Sequence, residues 1–156
     1  MVPTLVLVVS FLVFLALGRL GGSPRRDWRA ALRRALALMF LVTASAHFGP
    51  GREDLIRMVP PLFPLPALLV TLTGVLEILG ALALLIPRLA GPAAVSLAVL
   101  LAAMFPANVY AARQGLELMG EPVTPLLPRT LMQIVFIGAL LAAAELRRIG
   151  QAEVAR

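Results

Sequence analysis

Glu77 stands near the centre of residues 67–86, a run whose other members are apolar, small or hydroxyl-bearing. A charged side chain at mid-membrane depth costs about 2.5–3.5 kcal/mol on insertion scales, so it normally faces a bundle interior, is protonated or lines a polar cavity. A carboxyl group so placed can exchange a proton or hydrogen-bond the head of a lipophilic molecule. Further polar residues recur at helical spacing. Thr43 and His47 are four residues apart, as are Thr73 and Glu77 and again Arg129 and Gln133, and Asn108 follows Met104 by four. Such pairs share a helix face, so these positions describe one polar interior face on four neighbouring helices. In that reading Glu77 handles a proton or binds a head group, Asn108 and Gln133 orient the molecule, and Arg129 or His47 stands at the mouth. Thr43, Thr73 and Tyr110 complete the candidate ligand-binding set. With Glu77 about 15–18 Å down its helix and the others within about two turns of the surface, the expected pocket opens at one membrane face.

Each residue also has a structural reading. Glu77 can fix helix register, and His47 can be an interfacial side chain near a helix end. Asn108 and Gln133 can join helices, with amide bonds contributing around 1 kcal/mol or less in membranes. Arg129 can snorkel, and Tyr110 and Trp28 are most simply interface anchors. A different chemistry, proton transfer on a lipophilic substrate by Glu77 and His47 together, needs the two within hydrogen-bond reach, about 3 Å.

The elements that must carry these residues follow from composition. Hydrophobic residues make up 60% of the 156 and charged residues 14%, and the mean hydropathy is +0.95. These values belong to an integral membrane protein. Five apolar segments are predicted, at 3–17, Trp28–Phe48, 66–86, 91–112 and 130–146. They lack the alternation of barrel strands, so helices are expected, because in lipid a helix satisfies its backbone internally. Gly74, Gly80 and Ala81 flank Glu77 and permit close helix contact. MVPPLFPLP at 58–66 holds four prolines and cannot be regular helix; it reads as a stiff flap over the pocket or an extended leader into the third span. Met39-Phe40 and Met104-Phe105 hint at a repeat of two helical hairpins.

All fourteen basic residues are arginine and the net charge is +6. Arg19, Arg25, Arg26, Arg29, Arg33 and Arg34 crowd the first connection, while Arg147, Arg148 and Arg156 follow the last apolar segment. By the positive-inside rule both regions are cytoplasmic, which puts the N-terminus outside and the C-terminus inside. Charge beside spans sets topology, so nucleic acid is not the expected partner. The first segment is short enough to suggest a signal peptide, but no basic residue precedes it, and an anchor with its N-terminus outside fits better.

Cysteine is absent and His47 is the only histidine. Thiolate chemistry, cysteine-ligated clusters, bis-histidine haem and a convincing metal site are thereby excluded, and no phosphate-loop spacing occurs. Any redox cofactor is diffusible or belongs to a partner.

SAHFGP at 45–50, MVPPLFPLP at 58–66, GVLEILGALALLIPR at 74–88, MFPANVYAA at 104–112 and the Arg129/Gln133 pair, in this order and spacing, resemble the DoxX-like family of small bacterial membrane proteins. The resemblance covers about residues 33–146. It implies a four-helix core with an added N-terminal span, hence an all-α five-helix bundle: residues 1–22 the first span and connection, 23–148 the core, 149–156 a cytoplasmic tail. It also implies a bacterial inner membrane and a redox neighbourhood, since name-giving members look like small subunits associated with thiosulfate:quinone oxidoreductase. The expected function is therefore a membrane subunit that binds a quinone or other lipid-like molecule and serves a partner oxidoreductase. Alternatives are the Glu77/His47 enzyme and a structural protein without ligand. Its partners would be the lipid bilayer and the oxidoreductase, and a homo-oligomer is compatible with the same reading. PRTLMQ at 128–133 places its proline before the arginine, whereas the family pattern commonly has one between Arg and Gln.

Overall fold

The computed structural model describes residues 2–20 and 28–144. In chain order its elements are α1 (Val2–Leu20), α2 (Trp28–Phe48), α3 (Arg52–Met58), α4 (Pro66–Leu84), α5 (Ala90–Gln114), strands β1 (Glu117–Leu118) and β2 (Glu121–Pro122), and α6 (Leu126–Ala143). All but α3 among the helices are long and apolar enough to cross a membrane. Arg25, Arg26, Arg147, Arg148, Arg156 and the expected tail lie outside the described residues.

The last span begins at Leu126, a turn before the expected Thr130. Pro125 is its N-cap residue and Pro128 its third residue, a position whose N–H has no intrahelical acceptor, so a proline is tolerated there. Arg129 is consequently helical. Pro106 sits inside α5 without ending it, as membrane helices permit where neighbours satisfy the freed backbone.

α1 packs on α2, α2 on α4, α4 on α5, α5 on α6, and α6 returns to α2. Leu36, Met39, Phe40, Leu84, Leu97 and Leu140 are fully buried in the common core. α1 also reaches α6, through the Thr4 hydroxyl and Met132 Sδ at 3.1 Å. Outward faces remain strongly apolar, with Leu5, Val8, Val9 and Leu12 of α1 and Leu68, Leu72, Leu76 and Leu79 of α4 exposed. Such stripes suit hydrocarbon rather than water.

One end of the bundle collects Arg19, Arg29, Arg33, Arg34 and Arg88; the other carries α3 and the β1–β2 hairpin. At this second, capped end the connections are not bare loops. α3 packs against α2, α4, α5 and β1. The hairpin turns through Met119 and Gly120 at φ 55° and 78°, the paired positive angles of a tight two-residue turn. Gly120 adopts such an angle freely, whereas at Met119 it costs roughly 1–2 kcal/mol. The Met119 N–H donates to Asp54 Oδ2 of α3 at 2.9 Å, tying turn to helix. MVPPLFPLP is irregular as expected, but it does not fold over the bundle: Leu62 is 86% exposed and Leu65 67%. It acts as the leader into α4, and α3 is the element seated on the end of α2.

Candidate functional site

Gly74 of α4 faces α2 so closely that a β-carbon there would lie 2.6 Å from Cβ and 2.9 Å from Cγ of His47. The helices are antiparallel neighbours, and this contact sets their register. One turn further in, Thr43 meets Glu77, its hydroxyl 2.9 Å from Oε2. The same count pairs Phe40 with Ala81 and Leu36 with Leu84, all four buried. The seam thus runs from polar at the capped end to wholly apolar at the arginine-rich end, and Glu77 is its deepest polar group. It lies eleven residues into α4, about 16 Å at 1.5 Å per residue.

Glu77 is 3% exposed and His47 5%. Thr43 supplies the one hydrogen bond to Glu77 among the described residues, and its hydroxyl also lies 3.0 Å from the Phe40 carbonyl of its own helix. One proton is therefore shared between two acceptors, while a carboxylate can accept about four hydrogen bonds. His47 Nδ1 is buried without a hydrogen-bond partner among the described residues. Through the Gly74 contact His47 sits about one helical turn from Glu77.

The α5–α6 seam is built differently. Arg129 Nη1 donates to Asn108 Oδ1 at 2.6 Å, and Asn108 Nδ2 lies 3.5 Å from Gln133 Oε1, the limit of a hydrogen bond. Gln133 Nε2 donates to the Leu101 carbonyl at 2.9 Å. That acceptor lies next to Ala102, whose carbonyl has lost its helical donor because Pro106 has no N–H. A side-chain amide thus supports the turn that the proline weakens. Gly80 of α4 abuts Leu97 of α5, a β-carbon there falling 2.5 Å from Leu97 Cδ2. Counting three residues toward the capped end on both helices brings Glu77 level with Leu100, so the Gln133–Leu101 bond lies at about the depth of Glu77.

The expected site residues therefore fall into two groups. Thr43, His47 and Glu77 line one seam, and Asn108, Arg129 and Gln133 form a chain along the other; among the described residues no hydrogen bond or ion pair joins Glu77 to His47 or Arg129. Thr73 does not serve Glu77. Its hydroxyl bonds back to the carbonyls of Leu69 and Val70 at 2.9 and 3.1 Å, the usual habit of a hydroxyl inside a helix. Tyr110 is half-buried and makes no hydrogen bond to either group among the described residues. No set of three His, Asp or Glu side chains among those residues could hold a metal.

Arg52, outside the expected site residues, joins three acceptors. Nη1 donates to the His47 carbonyl at 2.9 Å, and Nη2 to the Ala67 carbonyl at 3.2 Å and Thr71 Oγ1 at 2.9 Å. It satisfies a free carbonyl at the end of α2 and fastens it to the first turns of α4. Gly74 is level with His47, so α4 projects about 10 Å beyond the end of α2, and α3 fills the step. The sequence signal was the short span between the GP of SAHFGP and the proline-rich segment, which brings Arg52 back over the helix it has just left.

The chain belongs to a family described as a domain of unknown function (DUF8561), whose model matches residues 36–144. The match runs from mid-α2 to just past α6 and leaves α1 outside. No curated protein and no solved structure matches the chain.

Proposed function

We propose that this chain is a DoxX-like membrane subunit whose α2–α4 seam binds the polar head of a quinone or similar lipid-like molecule for a partner oxidoreductase. The observation that carries this reading is Glu77, a carboxyl group in mid-span that has, among the described residues, a single shared donor, beside a histidine whose buried Nδ1 meets the geometry of a hydrogen bond with none of those residues. A carboxyl kept only as helix glue should be fully satisfied by its own protein. The head group would hydrogen-bond Glu77 and His47, with Asn108 and Gln133 holding the adjacent wall and the apolar tail lying along the helices. α2, α4, α5 and α6 form the core in this reading and α1 is an added span, in keeping with a family match that begins at residue 36. The arginine-rich end faces the cytoplasm of a bacterial inner membrane, with the N-terminus outside.

The test is identification of small molecules that co-purify in native lipid particles from wild type, Glu77→Gln and Thr43→Val. A quinone or related lipid enriched in wild type and lost from Glu77→Gln is the expected result. Wild type carrying bulk lipid alone, and acquiring no quinone on reconstitution, would remove the proposal.

The adjacency of His47 and Glu77 along one seam favours a second reading, a proton-transfer enzyme acting on a lipophilic substrate. Both variants Glu77→Gln and His47→Gln would then bind the molecule yet fail to convert it. Stoichiometric binding with no product after prolonged incubation of wild type speaks for the subunit.

A further inference from the structure

Arg129 is a cation that the protein half-buries without an acidic partner among the described residues. Its Nη1 is committed to Asn108 Oδ1 at 2.6 Å. Its Nε is buried with no hydrogen-bond partner among the described residues, and none of the bonds described there uses Nη2. What remains is the Nε–Nη2 edge, the side of a guanidinium that presents two parallel N–H groups. That fork matches the two oxygens of a carboxylate or phosphate, and charge-assisted pairs of this kind are the strong ones.

The placement adds to the cost of leaving this edge empty. Arg129 lies at the end of the first turn of α6, where the helix dipole opposes a positive charge. It belongs to the inward stripe Arg129, Gln133, Phe136, Leu140 and Ala143, of which the last three are buried, so it does not extend freely into water. Glu117 and Glu121 of the hairpin are exposed and do not pair with it. Desolvation, dipole and an unused donor pair are all relieved by one oxyanion.

We propose that the Nε–Nη2 edge of Arg129 is a binding site for a single oxyanion, a carboxylate or phosphate group, at the capped end of the α5–α6 seam. The anion is either the head of an amphiphile or a soluble ion. This site is separate from Glu77 and does not depend on quinone binding there.

The test uses the full chain, delipidated in a non-ionic maltoside detergent. It is titrated with dioctanoyl phosphatidic acid, with dioctanoylglycerol, which lacks the phosphate, and with inorganic phosphate, read by native mass spectrometry and thermal shift. Stabilisation by phosphatidic acid alone identifies an amphiphile head group, and equal stabilisation by inorganic phosphate identifies a soluble oxyanion. In either case Arg129→Lys, which keeps the charge but loses the fork, should bind about tenfold more weakly or worse. Asn108→Asp guards against misfolding of the arginine variant, because it offers a carboxylate of the same shape where Asn108 already meets Arg129. It should raise the melting temperature without added anion and weaken the further shift, because it neutralises the guanidinium from the Nη1 side. Binding absent from wild type, or unchanged in both variants, overturns the site.

Discussion

Among the described residues, a carboxyl group is buried along α2 and α4 with one shared donor, while along α5 and α6 a guanidinium is held by an amide chain with no carboxylate paired to it. Glu77 and Arg129 would neutralise one another in a bundle that used them only for cohesion, because an unpaired buried charge is expensive and a paired one less so. This fold keeps them apart, one about 16 Å into its helix and the other a turn from a helix end. The first seam is short of donors and the second has a donor pair to spare. Each looks outward for its complement, and the surroundings differ accordingly: helices in near-contact through Gly74 around Glu77, a proline-weakened turn braced by Gln133 below Arg129.

The close approach at Gly74 is where the α2–α4 seam is most easily broken. Gly74→Ala puts a methyl against His47 Cβ, an atom fixed to the backbone, so the helices must separate. Destabilisation of about 1–3 kcal/mol is expected from such overpacking, measured by unfolding in mixed detergent micelles. Gly80→Ala strikes Cδ2 and Cγ of Leu97, a fully buried side chain that must repack, and should still cost less because no atom fixed to the backbone is struck. Equal losses would mean that the seam has no special intimacy at His47.

Thr43→Val removes the only described donor to Glu77 without changing shape. A loss toward the upper end of interhelical hydrogen bonds in membranes, about 1.7 kcal/mol, is expected. Adding Glu77→Leu should return much of it, since replacing both partners by apolar groups of similar shape is nearly neutral. A double variant that is worse than either single one would instead mean that Glu77 is held by something other than Thr43. Gln133→Leu tests the second seam. It frees the Leu101 carbonyl in the turn before Pro106, and an average cost of about 0.6 kcal/mol is expected, with faster backbone hydrogen exchange confined to that part of α5.

Much of this layout was open to reading from the residues alone. The five spans follow from hydropathy, and Glu77 was conspicuous because nothing else in its run is charged. Helical spacing put Arg129 and Gln133 on one face of the last span, and in the structure Asn108 of α5 meets both. Spacing could not say which helix faces which. It therefore merged two seams into one face and set Thr73 beside Glu77 on α4, without showing that the hydroxyl that bonds Glu77 is that of Thr43 on α2. The cap escaped notice for another reason: α3 has only seven residues and the strands two each. Lengths like these carry no periodicity, and they hold through tertiary contacts such as Asp54 to the Met119 amide.

Thr73→Val examines that correction with the smallest expected effect. Thr73 and Glu77 share a helix and an i,i+4 spacing, which is the geometry in which a hydroxyl would reach a carboxyl one turn away. Here the Thr73 hydroxyl is already committed to the carbonyls of Leu69 and Val70, acceptors that keep their helical partners when it is removed. Valine restores the volume, so stability should move by no more than about 0.5 kcal/mol, and any ligand held by Glu77 should stay. The contrast with Thr43→Val is the informative quantity, because both variants remove one threonine hydroxyl near the same carboxyl. If Thr73→Val loses the ligand and Thr43→Val does not, Glu77 points along its own helix rather than across to α2, and the α2–α4 seam gives up its claim to be the binding wall.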